Sequence, residues 1–370
     1  MPYFDWSALP DDLRRRIFLC MPSTEWMPFR QVSHACKDAV NELIGAVAPR
    51  QLESSTLQQW QGLKSLSLRR VEEQACDQVK AILPASLKGR ELKTLLLPLC
   101  CCPCLSRQPA SKVMTCFTVK QLILEDSQIM LLSVSQLDQL LGHMKGLSKL
   151  IMRRIAFKPV QPGSLQRIPQ EWRFTGKLTC LVLDGCAKLP WFYIQSIRFS
   201  LTHLELTRCS GTSVSGTLKE AAKLTALKDL SITLQPSQTN QSCRAADFKA
   251  LSSLHLTYLA MRGMRKFNDD ALMALSSLSK LKGLDVTASN ITSEGLLRAW
   301  HLSTLQSLAA TCLSLRPADL QRLLQQCSSL RHLDISSHQC GHTPKHIVPV
   351  SSSDLPVAQS AGERIRRVPH

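Results

Sequence analysis

The sequence predicts an α/β fold: a right-handed solenoid with a parallel concave β-sheet and outer helices, preceded by a small three-helix unit. Three observations carry this. The apolar pattern L-x-x-L-x-L recurs eleven times, and its central residue steps by 23 to 31 positions. Helical periodicity fills many of the intervals between copies. The first fifty residues follow a different period, with short amphipathic helices and no copy of the pattern. The expected boundaries are 1–48 for the helical unit, 49–340 for about eleven repeats, and 341–370 for a disordered Ser/Pro/Arg tail.

The helical unit comes first. Residues 7–20 place Leu13, Ile17 and Cys20 at helical spacing behind a Ser7 or Asp11 cap, and Met21-Pro22 ends that helix. Trp26, Met27, Phe29 and Val32 suggest a second helix, and Cys36, Val40, Leu43 and Ile44 a third. In the repeats the last two apolar residues of L-x-x-L-x-L alternate by two, so both leave one face of a short strand. The copies run from Leu63, Leu66, Leu68 to Leu330, Leu333, Ile335. Return helices are expected at 269–281, capped by Asp269 or Asp270, at 293–302, and at 317–327, where Pro317 suits the opening position. No unit can bury its apolar face alone, so neighbours must stack.

Composition bounds the function. The 370 residues are 44% hydrophobic and 20% charged, enough for a packed core. Aromatic content of 5% argues against a stacking platform for nucleic acid, which is not the expected partner. No apolar run approaches the ~18 residues of a membrane span, and Asp5, Asp11 and Asp12 stand where a secretory signal needs bases. A cytoplasmic and/or nuclear location is expected, and there most of the 15 cysteines read as small buried hydrophobes. Neither Cys100, Cys101, Cys102 and Cys104 nor His338, Cys340, His342 and His346 has the spacing of a zinc site. No metal, cofactor or catalytic residue is predicted.

The repeats resemble cysteine-containing leucine-rich repeats, in which a Cys or Asn follows the strand. Cys186, Cys209, Asn290 and Cys340 occupy that slot, and the resemblance implies a structural role at the turn. The N-terminal unit resembles an F-box. The matching residues are Leu9-Pro10-Asp11-Asp12-Leu13, Ile17-Phe18, Met21-Pro22, Glu25-Trp26-Met27, and Val32-Ser33 ending at Cys36. Cys36 replaces the family's Trp, and Pro28 stands where a helix former is usual. The resemblance implies that Leu9, Pro10, Leu13, Ile17, Val32 and Cys36 meet a Skp-type adaptor, and through it cullin and RING subunits. It implies a non-catalytic substrate receptor of an SCF-type ubiquitin ligase, whose solenoid binds a client protein.

Charge suggests where a client could dock. The formal net charge is +17, of which the repeats hold +15. Such a field favours acidic partners. Lys64, Lys93, Lys120, Lys228, Lys282 and Arg331 directly follow the first Leu of their repeats and are expected on a rim beside the strands. On the concave face, Leu96, Ile123, Ile151 and Val182 are expected to stack as an exposed apolar ridge flanked by Lys120, Lys149 and Arg153. Either the ridge docks the client or the loop 98–117 folds over it. Two other readings fit the same residues: a scaffold whose N-terminus only caps the solenoid, and a basic solenoid binding anions or nucleic acid.

Overall fold

A computed structural model describes residues 46–47, 63–68, 79, 83, 86–98, 118–125, 131–142, 144, 146–158, 178–188, 191–210, 213–234, 243–311, 313 and 315–335. The chain divides into two compact units, residues 1–151 with 169–174, and 152–168 with 175–370. The division falls inside the repeats.

In the first unit, strands β1 (Ala46–Val47), β2 (Ser65–Ser67), β3 (Glu91–Pro98) and β4 (Thr118–Glu125) pair in parallel and in that order. The central leucines lie in register: Leu66 faces Leu95, and Leu95 faces Leu122. All three are buried, as are Leu68, Leu97 and Leu124 two residues on. Ala46 and Val47, near the end of the 1–48 segment, pair with Ser65 and Leu66. A two-residue strand β5 (Leu131–Leu132) precedes helix α1 (Val134–Gly142), which buries Val134, Leu137, Leu140 and Leu141. Strand β6 (Lys149–Arg153) carries the division, and the two-residue β7 (Ala156–Phe157) follows.

The second unit repeats one module. Strands β8 (Cys180–Asp184), β9 (His203–Thr207), β10 (Asp229–Thr233), β11 (Tyr258–Arg262), β12 (Gly283–Asp285), β13 (Ser307–Ala309) and β14 (His332–Asp334) pair in sequence order, each parallel to the next. Leu181, Leu204, Leu230, Leu259, Leu284, Leu308 and Leu333 fall in a single register row. Parallel strands need crossover connections. Here these contain α2 (Trp191–Ser196), α3 (Val214–Ala221), α4 (Ala245–Lys249), α5 (Asp269–Met273), α6 (Ser293–Arg298) and α7 (Pro317–Gln326). Their inner residues, among them Leu218, Phe248, Leu272, Leu296 and Leu323, are buried and complete the core. Phe248 and Phe267 pack with ring centroids 4.9 Å apart. Each fully buried leucine contributes about 1.5–3 kcal/mol, so the register row is the chief source of cohesion.

Two details differ from the sequence reading. The helix expected over 269–281 is regular only to Met273, and Asn268, not Asp269 or Asp270, caps it by accepting from the Ala271 N–H at 3.1 Å. Asp269 instead reaches the next module, accepting from the Thr292 N–H at 2.8 Å and from Thr292 Oγ1 at 2.6 Å. The Asp269 carboxylate lies where a Cβ on residue 295 would stand, so Gly295 is required there. Pro317 opens α7 as expected.

Candidate protein-docking face

Strand geometry sorts the residues around each central leucine. Positions one before, one after and three after it leave the face opposite the core. Burial follows that parity: in β8 and β9 the outward residues are half-exposed, while the leucines between them are buried. The six rim residues, Lys64, Lys93, Lys120, Lys228, Lys282 and Arg331, are all exposed.

In the first unit the outward row turns apolar after Ser67. Leu96 sits between Ser67 and Ile123 in register, and all three are half-exposed. Ile151 is only 8% exposed, so it is not the open ridge residue that the sequence suggested. Lys120 pairs with Glu91 at 2.7 Å, and Lys149 is half-exposed. Val182 and Arg153 belong to the second unit, where both are half-exposed.

In the second unit the outward row turns polar. Val182 is followed in register by Glu205, Ser231, Ala260, Asp285, Ala309 and Asp334. The parallel row reads His203, Asp229, Tyr258 and Gly283. A joined group forms on β11 and β12. Arg262 Nε donates to Asp285 Oδ2 at 2.6 Å, and Arg262 Nη2 lies 3.4 Å from the Tyr258 hydroxyl. Asp285 Oδ1 also accepts the Thr287 N–H at 3.0 Å. Burial opposes the guanidinium charge, but Asp285 outweighs it and holds the Arg262 pKa above its ordinary value. Burial likewise pushes the Tyr258 phenol up, with Arg262 partly offsetting it. The Tyr258 ring lies over Gly283, where an added Cβ would come within 2.6 Å of Cδ2. Residue-type scanning missed this group, because only the parity of each residue relative to its central leucine brings Tyr258, Arg262 and Asp285 onto one face.

The cysteines behave as framework. Cys186 Sγ donates to the Met152 carbonyl at 3.4 Å, and Cys209 Sγ to the Leu183 carbonyl at 3.4 Å. Burial pushes their thiols up to about 12 and about 11, so both stay protonated at neutral pH. Asn290 joins the turn ladder through its N–H to the Phe267 carbonyl at 3.1 Å. Among the described residues no group of three His, Cys, Asp or Glu side chains could hold a metal, and no helix is long and apolar enough to cross a membrane. Leu9, Pro10, Leu13, Ile17, Val32 and Cys36 lie outside the described residues, as do Cys100 to Cys104, the third turn cysteine Cys340, and the tail.

Comparison with known proteins adds the head. The F-box domain family matches residues 6–44. Among curated proteins none matches this chain by sequence. Among solved structures, a TLR13–ssRNA13 complex is similar at 18% identity and a TM-score of 0.43, over 77% of this chain. This chain spans 37% of the length of that one. An internalin from Listeria monocytogenes is similar at 14% identity and a TM-score of 0.38, over 85% of this chain and 95% of its own. The F-box match supports a protein-interaction role. Residues 6–44 of the chain thus match the F-box domain, and the strands beyond them form the parallel ladders of an α/β leucine-rich-repeat fold.

Proposed function

We propose that this chain is the non-catalytic substrate-recognition subunit of an SCF-type ubiquitin ligase. Its F-box holds a Skp-type adaptor through Leu9, Pro10, Leu13, Ile17, Val32 and Cys36, and cullin and RING subunits follow. Its repeats hold a client protein. The observation that supports this most is the joining of an F-box at residues 6–44 to a regular strand ladder with a half-exposed outer face. Such a chain performs no bond chemistry. It raises the local concentration of client lysines beside a charged conjugating enzyme, which is a proximity effect.

Capture of a Skp-type adaptor by the full-length chain tests the reading. Wild type is expected to retain the adaptor, and Leu9→Ala/Pro10→Ala to lose at least tenfold in capture. A folded wild-type chain that retains no adaptor overturns the ligase reading in favour of a scaffold with a helical cap. The anion-binding alternative draws less support, because the open face of the second unit is richer in carboxylates than in bases.

A further inference from the structure

Charge over β8–β14 of the second unit is segregated by face, while Arg153 projects from the end of β6 ahead of them. Residues 178–335 contain 17 Lys and Arg and 11 Asp and Glu. Sixteen of the seventeen bases are exposed on rims, turns and helices, and only Arg262 projects from an outward strand position. Five of the eleven acids do so: Asp184, Glu205, Asp229, Asp285 and Asp334. A chain of formal charge +17 thus presents an open sheet face of the opposite sign.

Two of those carboxylates are already spent. Asp285 is neutralised by Arg262, and Asp184 by Arg208 at 2.7 Å. Glu205 and Asp229 are different. Among the described residues neither has a Lys or Arg at ion-pair distance, although Glu205 lies near enough to Arg262 to help hold its charge. Glu205 accepts from Thr207 Oγ1 at 3.3 Å, and Asp229 accepts from Thr257 Oγ1 at 2.9 Å. His203 Nδ1 stands 3.7 Å from Asp229 and carries charge only when protonated. Both carboxylates are half-exposed on adjacent strands, β9 and β10. The floor beside them is low, made by Ser231 and Ala260, with the half-exposed Tyr258 ring at its edge. An extended side chain with a cationic tip fits that setting: its stem lies on the small residues, its charge sits between the carboxylates, and the ring offers a π-face.

We infer that the open face of β9–β11 docks a Lys/Arg-rich segment of a partner protein, with Glu205 and Asp229 as the charge-matching residues. This rests on reading the strand face as the client-docking surface and names the chemistry of that client. It opposes what total charge suggests, since a net-basic protein repels polycations unless a local field reverses the sign.

The test uses the full-length chain and fluorescence anisotropy with a labelled lysine-rich peptide, a matched glutamate-rich peptide and a single-stranded RNA oligonucleotide as probes. The lysine-rich peptide is expected to bind most tightly of the three and to weaken as salt rises. Glu205→Gln/Asp229→Asn is expected to weaken it at least tenfold with an unchanged melting temperature. If the double variant melts lower, Glu205→Lys alone, at a half-exposed site, is expected to weaken binding at least tenfold. Lysine-peptide binding that is absent, or indifferent to these substitutions, overturns the inference, as does tighter binding of the glutamate peptide or the RNA. Adaptor capture is read from the same preparation. A chain that captures adaptor but ignores the lysine peptide breaks this inference alone, and one that does the reverse breaks the ligase reading alone.

Discussion

The two units share an inside and differ outside. In both, the central leucines of the laddered repeat strands are buried and meet their neighbours in register, from Leu66, Leu95 and Leu122 in the first to Leu181 through Leu333 in the second. The outward row diverges: half-exposed Leu96 and Ile123 in one, Glu205, Ser231, Ala260 and Asp285 in the other. The difference teaches that burial dictates one parity of each strand and leaves the other open to recognition. Two chemically distinct surfaces are thereby carried on one kind of frame.

The strongest test of the shared inside is truncation of equivalent leucines. Leu122→Ala and Leu259→Ala remove side chains that are fully buried in the first and second units. Each is expected to cost about 2–5 kcal/mol in denaturant unfolding, the range for an interior Leu→Ala change. Ile123→Ser, at the half-exposed position beside Leu122, is expected to cost clearly less than Leu122→Ala. Equal losses at 122 and 123 would refute the division of each strand into a structural and a free side.

A smaller effect is confined to the second unit. Gly283→Val puts a branched side chain into the Tyr258 ring and must displace it, with its contact to Arg262. The expected loss is about 1–3 kcal/mol, as for overpacking in general, with a change in tyrosine fluorescence. The first unit has Thr94 and Gln121 in the corresponding row, so Thr94→Val there is expected to change stability little.

The smallest effect concerns pH. The Asp247 carboxyl is held below its ordinary 3.8, first by the Arg244 N–H that it accepts and then by Ser215, with Lys219 adding to both. A lowered carboxyl pKa gives stability that is present above the ordinary value and is lost as pH falls through the folded one. Wild type is therefore expected to melt above Asp247→Asn near neutral pH, by the equivalent of less than about 1 kcal/mol, and the two to converge in strong acid. A gap that persists in acid would assign Asp247 a role other than its charge.

The sequence made the interior legible because leucine spacing and burial are the same constraint seen twice. A residue such as Leu259 must be apolar and must recur, and both facts are visible in a single chain. Helix ends were less legible. Asn268 and the adjacent aspartates all carry side chains able to cap, and only the reach of Asp269 to Thr292 assigns the cap to Asn268. Leu96 and Ile123 are half-exposed neighbours as expected, but Ile151 is covered, which strand parity alone does not decide. Tyr258, Arg262 and Asp285 escaped notice because charge was weighed over the whole chain, whereas recognition depends on charge per face.

One backbone device recurs at the rim. A single carbonyl receives two consecutive N–H groups from the next module: Lys64 from Lys93 and Thr94, Lys228 from Thr257 and Tyr258, and Lys282 from Gln306 and Ser307. Because this fork uses peptide groups alone, it asks nothing of the side chains that stand there. Lysine can be exchanged for almost anything without loosening one coil from the next. Whole modules could be duplicated or deleted at that seam, and the tethers would re-form from whichever main chain arrives.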